Sequence, residues 1–309
     1  MNQKQIEDFE SRFLPFNNVF KFIADLKSID LTKIELSDLD NLIDEQFHLI
    51  PFTLGNINKG KELIRARVNE NNKQFTNIRE LGMPPIEKIT KYGRANSPKE
   101  RIFYSSQNRK LACGEVLQDL KYLSNPVTET RIVTISVWEI ISNLNLATIY
   151  YSPEVIKYRK DVENFKKGNQ DLMNKTSKLN ENTIKTNDLI TEFFCDEFAK
   201  DNIKHTDEYK FSVLYTNRLR EGNQFIAPEF AKHKFDGILY PSVAMKYKGD
   251  NIALFDFELD TKIKFKTAYE VVCLDFDFDK PDFDIYLLHE LIEIKQDGTL
   301  IWNSEIPEP

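Results

Sequence analysis

The amino-acid sequence predicts an α+β fold. Apolar residues recur every three or four positions near the N-terminus and again between residues 152 and 200, which is helical periodicity. Short apolar segments with the two-residue alternation of strands lie before and after that second helical region. The 309 residues, 41% of them hydrophobic, suffice for a full core and fit either one large domain or two small ones.

The first 58 residues are predicted to form a helical cap that closes near Pro51 and Gly55. Its apolar residues follow helical spacing, as in Phe9, Phe13, Phe16 and Phe20. The remaining domain is predicted over residues 59–305, with a helical insertion over about 152–200.

Strands and helices are both predicted within this second domain. A helix is expected over residues 111–120, and an Asp-Gly turn at Asp297 and Gly298 precedes a last short apolar segment. Strands are predicted over residues 62–68, 102–105, 131–138, 209–215, 237–241, 251–257 and 286–294.

The charge balance and the absence of targeting signals restrict the function classes. A net charge of −7 disfavours direct binding to nucleic acid, whose backbone is anionic. The apolar window from Ile132 to Tyr151 is interrupted by polar residues and is too short to span a bilayer, so no membrane association is expected. Since no secretory signal is evident at the N-terminus, a cytoplasmic location is expected.

The residues that bind metals elsewhere are not grouped in a metal-binding pattern here. The cysteines Cys113, Cys195 and Cys273 lie far apart and are expected to be reduced thiols. The alternation of Asp and Phe over residues 275–279 is typical of a strand with Phe inward and Asp outward. We therefore expect no metal site.

Two arginines in the first predicted strand form a candidate anion site. Arg65 and Arg67 are two residues apart, so both side chains lie on the same face of a strand. A pair of guanidinium groups suits a diphosphate, because each planar group can hold two anionic oxygens. A solvated edge strand with surface arginines explains the same pattern equally well.

Further polar residues stand where composition alone would not place them. Arg94 lies between the turn residues Gly93 and Asn96, where the backbone can approach a ligand closely. Glu115 lies in a stretch of small and apolar residues that is predicted to be helical. Ser242 follows a proline at a predicted strand end, a common position for site residues. An exposed helical Glu and a turn-forming Ser are the alternatives.

Together these segments resemble the RES family, named for a shared Arg, Glu and Ser. The similarity covers residues 61 to about 300, and the helical cap lies outside it. The motifs, in order, are Ile64-Arg65-Ala66-Arg67, Leu81-Gly82-Met83-Pro84-Pro85, Gly93-Arg94-Ala95-Asn96, Ile102-Phe103-Tyr104, Ala112-Cys113-Gly114-Glu115 and Phe235-Asp236-Gly237-Ile238-Leu239-Tyr240-Pro241-Ser242, followed by Asn251-Ile252-Ala253-Leu254-Phe255.

This resemblance implies a fold like that of ADP-ribosyltransferase toxins, with two small sheets around a cleft and flanking helices. It also implies an enzyme that cleaves NAD+ at the nicotinamide–ribose bond, by hydrolysis or by phosphorolysis with inorganic phosphate as co-substrate. No further cofactor is implied. Members typically act as the toxin of a toxin–antitoxin pair and are restrained by a helix-turn-helix antitoxin protein.

The resemblance also assigns roles to residues. Arg65 and Arg94 would hold the NAD+ phosphates, with Asn96 beside them. Tyr104 would contact the nicotinamide end of the substrate. Glu115 and Ser242 would act at the ribose. Arg67 remains an alternative to Arg65, which is favoured because it directly follows the apolar residue that begins the motif.

Two other functions fit the same cleft. One is transfer of ADP-ribose to a protein, with the polar segment over residues 166–185 as a docking surface. The other is a nucleotide-binding partner protein without catalysis. The second is disfavoured, because a silent site has no chemical reason to keep the Glu115 carboxylate.

Overall fold

The structure, a computed structural model, describes residues 3–47, 50–118, 120, 130–149, 151–176, 179–224, 234–256, 259–277, 280 and 282–303. Its contacts divide the chain into two compact units. Unit 1 comprises residues 1–54, 91–98 and 147–231, and unit 2 comprises residues 55–90, 99–146 and 232–309. The predicted domain boundary at residue 58 stays a prediction.

Most of the described residues of unit 1 are helical. Its helices are α1 (Gln3–Glu10), α2 (Phe16–Lys27), α3 (Leu36–Gln46), α5 (Pro153–Tyr158), α6 (Lys160–Thr176), α7 (Glu181–Ala199) and α8 (Lys210–Gln224). In unit 2, α4 spans Arg109–Val116 and α9 spans Leu259–Lys262. Helix α2 packs against α7, and α8 packs against both α3 and α7.

Aromatic side chains form much of the core of unit 1. Phe193 contacts both Phe194 and Phe211, with each pair of ring centroids 5.1 Å apart. The buried Lys210 is accommodated because its Nζ pairs with Asp207 Oδ1 at 2.7 Å and donates hydrogen bonds to the carbonyl oxygens of Leu31 and Ile34. These contacts fix the start of α8 within the helical unit.

The strand predicted over residues 209–215 is wrong, since these residues end a short 3-10 helix and begin α8. Every residue from Lys210 to Thr216 is buried. A helix buried on several sides shows no amphipathic period, so a short apolar run cannot be distinguished from a strand by periodicity. The element runs for 15 residues, from Lys210 to Gln224, and this length is typical of a helix and not of a strand.

Ten strands lie among the described residues. They are β1 (Leu54–Ile57), β2 (Glu62–Val68), β3 (Ile102–Ser106), β4 (Arg131–Ile140), β5 (Leu144–Thr148), β6 (Gly237–Pro241), β7 (Asp250–Phe255), β8 (Ile263–Asp277), β9 (Asp282–Ile294) and β10 (Leu300–Trp302). Their order in the sheet is β1-β5-β6-β7-β3-β2-β4-β8-β9-β10. The predicted α+β class is confirmed.

The sheet consists of two five-stranded halves that meet at one point. Strands β2 and β3 pair only through Ile64 and Ser106, whereas β2 pairs with β4 over seven residue pairs. On one face of β2, Ile64 and Ala66 pack with Leu111 and Cys113 of α4 in a buried cluster. The junction between β2 and β3 and the helix α4 position the residues described next.

Candidate active site

The carboxylate of Glu115 is the centre of a hydrogen-bonded cluster in unit 2. Its Oε1 accepts hydrogen bonds from Ser242 Oγ at 2.6 Å and from Asn251 Nδ2 at 2.7 Å. Its Oε2 accepts one from Gln118 Nε2 at 2.9 Å. Three donors on two oxygens fix the orientation of a carboxylate that is only partly buried. The cluster contains the predicted pair Glu115 and Ser242.

Helix α4 carries Glu115 near its C-terminal end. The helix begins after Asn108, whose side chain accepts a hydrogen bond from the Leu111 N–H and caps the first turn. Gly114 then lets α4 lie close to the loop after β6, because a Cβ at this position would be 2.5 Å from Met245 Sδ. The close packing of α4 against Met245 therefore explains why a glycine precedes Glu115.

Ser242 is fully buried at the end of β6. Its N–H donates to the carbonyl oxygen of Gly249, and its own carbonyl oxygen accepts from the N–H of Tyr247. Lys246 and Tyr247 both have positive φ, which folds the connection back tightly from β6 to β7. This short connection holds the Ser242 hydroxyl against the Glu115 carboxylate.

Sequence reasoning missed the contribution of Asn251 and Ser106. Asn251 lies on β7, is 3% exposed and joins Glu115 to Ser106, whose Oγ donates to Asn251 Oδ1 at 2.6 Å. Ser106 also forms the single register pair with Ile64 of β2. A polar Asn at the start of an otherwise apolar strand was the available signal.

Arg65 lies next to the same junction. It is 9% exposed, and its Nη1 donates to the carbonyl oxygen of Tyr104 at 2.8 Å. Its guanidinium lies over the Phe103 ring, 5.4 Å from the centroid. Its buried Nε has no hydrogen-bond partner, and no carboxylate pairs with Arg65 in the described part of unit 2. Burial, together with the charge of Arg67, lowers the pKa of Arg65 to about 10.

Arg67 and Arg65 share a face of β2, as predicted from their spacing, and this face is opposite to the one on which Ile64 and Ala66 contact α4. Arg67 is less buried than Arg65. Its Nη1 donates to the carbonyl oxygen of Glu80, and its guanidinium lies over the Phe75 ring. Burial lowers its pKa as well. Arg65 therefore carries the more deeply buried charge of the two.

The structure places Tyr104 on β3, where it pairs with Ala253 of β7. Its carbonyl oxygen is the acceptor for Arg65, and its side chain is half-buried. The proposed contact of Tyr104 with nicotinamide stays a prediction.

Arg94 and Asn96 belong to unit 1. The Arg94 guanidinium donates to the carbonyl oxygens of Phe198 and Lys200, at 2.6 and 3.2 Å, and lies over the Tyr209 ring. Asn96 Nδ2 donates to the carbonyl oxygens of Lys91 and Ser97. Within unit 1 both side chains thus fix local backbone, and their predicted roles in binding the substrate stay predictions.

The cysteines and the other potential metal ligands do not form a second reactive site among the described residues. All three cysteines are free and buried, and burial raises the pKa of Cys195 to about 12, which makes it a poor nucleophile. Among the described residues, no group of three or more His, Cys, Asp or Glu side chains is arranged to hold a metal ion. No described helix is long and apolar enough to cross a membrane.

Comparison with known proteins yields a distant structural likeness. No family model matches the sequence, and no curated protein matches it. A search of solved structures finds a chain of the crystal structure of the M. tuberculosis MbcT-MbcA toxin-antitoxin complex, with 11% identity and a TM-score of 0.35. The match covers 70% of this chain and 86% of that chain. A likeness this distant establishes neither the fold nor the function of this chain.

Proposed function

We propose that this protein cleaves NAD+ at the nicotinamide–ribose bond and acts as the toxin of a toxin–antitoxin pair. The observation that carries the proposal is the Glu115 carboxylate, fixed by hydrogen bonds from Ser242 and Asn251. The order of the motifs that resemble the RES family supports the same assignment. NAD+ is the substrate in this proposal, and no further cofactor is part of it.

The chemistry of the bond explains the need for a fixed carboxylate. When the bond between nicotinamide N1 and ribose C1′ breaks, the electron pair leaves with nicotinamide, and the ribose becomes cationic, as in glycoside cleavage. A preorganised anion beside the ribose stabilises this cation, and one such group is commonly worth ~10²-fold to 10³-fold in rate. Glu115 is the group that we assign to this role, with Ser242 and Asn251 as its positioning residues.

The diphosphate of NAD+ is assigned to the arginines. Arg65 is buried without a carboxylate partner among the described residues of unit 2, so an anionic ligand would compensate its charge. It lies on the face of β2 opposite to α4, so the dinucleotide would pass the junction where the β2–β3 ladder is reduced to Ile64 and Ser106. Arg94 is assigned to a phosphate and Tyr104 to the nicotinamide end by the same resemblance.

The acceptor, the partner and the location complete the proposal. Water or inorganic phosphate attacks ribose C1′ and loses a proton, which yields ADP-ribose or its phosphorylated form. A helix-turn-helix antitoxin blocks the cleft until it is removed, and the reaction takes place in the cytoplasm.

The test is a measurement of nicotinamide release from NAD+ by the purified full chain. We expect release by the wild type and its loss in Glu115→Gln, which keeps the size of the side chain but removes the negative charge. Glu163→Gln is the matched control, because Glu163 of α6 is a surface residue paired with Lys160 and Lys167. It should release nicotinamide at the wild-type rate.

Product analysis identifies the acceptor. The reaction is run with and without inorganic phosphate and with a mixture of candidate protein acceptors, and the products are separated by mass. Free ADP-ribose indicates hydrolysis, its phosphorylated form indicates phosphorolysis, and labelled protein indicates transfer. Nicotinamide release that is equal in wild type and Glu115→Gln would remove Glu115 from the mechanism.

A further inference from the structure

Unit 1 contains a cavity that the proposed NAD+ chemistry does not use. Its volume is about 410 Å³, within the range of ~300 to 1,000 Å³ that is typical of small-molecule sites. Helix α1, the segment over residues 51–54 and the helices α6 and α7 line it. All of these elements belong to unit 1.

One wall of the cavity is aromatic. Phe9 of α1 and Phe13, three residues beyond the end of α1, contribute rings whose centroids are 5.2 Å apart. Phe52 lines the cavity as well and is 36% exposed, although it packs edge-on against Tyr215. Tyr151 is buried there and its ring stacks on Phe165. Rings in such a wall contact an apolar body and attract a cation to their faces.

Helix α7 contributes polar residues to the lining. Thr183 borders the cavity and is 1% exposed, and its hydroxyl has no hydrogen-bond partner among the residues that the structure describes. A buried hydroxyl without a partner costs free energy, and a ligand with a polar group would remove that cost. This hydroxyl can donate or accept a hydrogen bond.

The charged residues of this lining favour a cation. In the described part of the lining they are Lys166, Asp188 and Glu192. Lys166 Nζ is paired with Glu192 Oε2 at 3.2 Å, so the one lysine is already used. Asp188 Oδ2 accepts a hydrogen bond from the neutral Gln170 at 3.1 Å. Lys166 attracts Asp188 electrostatically, but its ion pair within hydrogen-bond distance is with Glu192. The lining therefore has one negative charge in excess.

We propose that this cavity is a binding site for a small organic amine, whose protonated nitrogen pairs with Asp188 and whose apolar body lies against Phe9, Phe13 and Phe52. The aromatic side chains, the excess negative charge at Asp188 and the unpartnered hydroxyl of Thr183 together define this ligand class. An anionic ligand of the same shape would be repelled by Asp188 and Glu192.

The test compares three probes with the same phenylpropyl body and different head groups. These are 3-phenylpropylamine, 3-phenylpropan-1-ol and 3-phenylpropanoate, titrated into the full chain by calorimetry and ligand-observed NMR. We expect the amine to bind about tenfold more tightly than the alcohol, because only the amine forms an ion pair with Asp188. A tenfold difference in affinity corresponds to ~1.4 kcal/mol for one partly desolvated ion pair. The carboxylate should bind more weakly than the alcohol.

Two variants localise the binding. In Asp188→Asn the amine should bind about tenfold more weakly and lose its advantage, while the affinity of the alcohol stays the same. Thr183→Val keeps the shape of the side chain and removes the unpartnered hydroxyl, so its melting temperature should not fall. It should weaken the binding of both the amine and the alcohol.

Glu163→Gln on α6, outside the cavity lining, is the control and should bind all three probes as the wild type does. The proposal is overturned if no probe binds the wild type, or if the carboxylate binds as tightly as the amine. It is also overturned if folded Asp188→Asn keeps the wild-type preference for the amine. The wild-type comparison decides even if a variant does not fold.

Discussion

The carboxylate of Glu115 accepts a 2.6 Å hydrogen bond from the hydroxyl of Ser242, a residue 127 positions later in the chain. Helix α4 supplies the acid, and the end of β6 supplies the hydroxyl. Because Ser242 is fully buried and its backbone is bonded to Gly249 and Tyr247, the hydroxyl cannot follow the carboxylate if α4 moves. The position of the acid thus depends on the connection between β6 and β7.

Replacement of Ser242 by Ala should impair catalysis more than substrate binding. The variant loses one of three donors to Glu115, and the carboxylate gains freedom to turn away from the ribose. We expect kcat for nicotinamide release to fall about 10-fold to 100-fold with little change in KM. Unfolding free energy should fall by ~1 to 3 kcal/mol, since a hydrogen bond to a charged group is lost.

Ser105→Ala is the matched control for this variant. Ser105 is also a buried serine of unit 2, but its hydroxyl donates to the carbonyl oxygen of Ile252 and not to a carboxylate. It should lose less stability, ~0.5 to 1.5 kcal/mol, because its hydrogen bond is to a neutral group, and it should keep kcat. An equal loss of kcat in both variants would show that Ser242 has no specific role.

Substitution of Arg65 by Met should separate binding from stability. Met has a similar length and no charge, so the unliganded variant avoids the cost of burying a guanidinium without an acidic partner and should melt no lower than the wild type. ADP-ribose should raise the melting temperature of the wild type and have little effect on Arg65→Met. Thermal unfolding with and without ADP-ribose measures both effects.

The matched variant Arg67→Met tests which of the two arginines binds the phosphates. Arg67 is more exposed and is bonded to the carbonyl oxygen of Glu80, so its loss should change the ADP-ribose effect less. If instead Arg67→Met abolishes the stabilisation and Arg65→Met preserves it, the phosphate role belongs to Arg67.

Strand β2 could be predicted from local sequence, whereas the cluster around Glu115 could not. Strand β2 was predicted over residues 62–68 and has these bounds, because a short segment with alternating faces has a clear local pattern. The pair of Glu115 and Ser242 came from the order of motifs, since periodicity does not indicate which distant residues meet. Asn251 was missed as a donor because its role depends on the register between β3 and β7.

Helix α8 shows the opposite case. The run from Lys210 to Thr216 has the composition of a strand, and burial on several sides removes the polar face that would indicate a helix. Lys210 is accommodated there by an ion pair with Asp207 at 2.7 Å and by the carbonyl oxygen of Leu31, which accepts its hydrogen bond across 179 residues. No local window contains the contact with Leu31.

A methyl group added at Gly114 should displace α4. An Ala Cβ would lie 2.5 Å from Met245 Sδ and 2.9 Å from Met245 Cγ, so either the flexible Met side chain or the helix must shift. We expect Gly114→Ala to lower kcat for nicotinamide release and to change stability by less than ~2 kcal/mol, because Ala favours the helix and offsets part of the strain.

The double variant Gly114→Ala/Met245→Ala tests the cause. With the Met side chain shortened, α4 has room for the new methyl group, and kcat should recover relative to Gly114→Ala alone. Met245→Ala by itself is the control and should cost stability through the cavity that it leaves, ~2 to 4 kcal/mol. No recovery in the double variant would place the effect of Gly114 elsewhere.

The buried Glu270 on β8 should make stability depend on pH in a defined direction. Glu270 is 4% exposed, and burial raises its pKa above the ordinary value, against the opposing effects of His289, Gln74 and Asn69. The folded state therefore binds this proton more tightly than the unfolded chain. Its contribution to stability is fully present below pH 4.5, the ordinary value, and is lost as the pH rises through the raised pKa.

Glu270→Gln removes this titration while it keeps an oxygen that can accept from Asn69, which donates to Glu270 Oε1 at 2.5 Å. The variant should therefore gain stability relative to the wild type between pH 4 and pH 8, as measured by the urea midpoints of both proteins at the two pH values. His289 Nε2 lies 3.7 Å from Glu270 Oε2, so His289→Gln measures how much this neighbour contributes to the difference. A stability difference that is constant or falls from pH 4 to pH 8 would mean that the hydrogen bonds to Glu270 outweigh its burial.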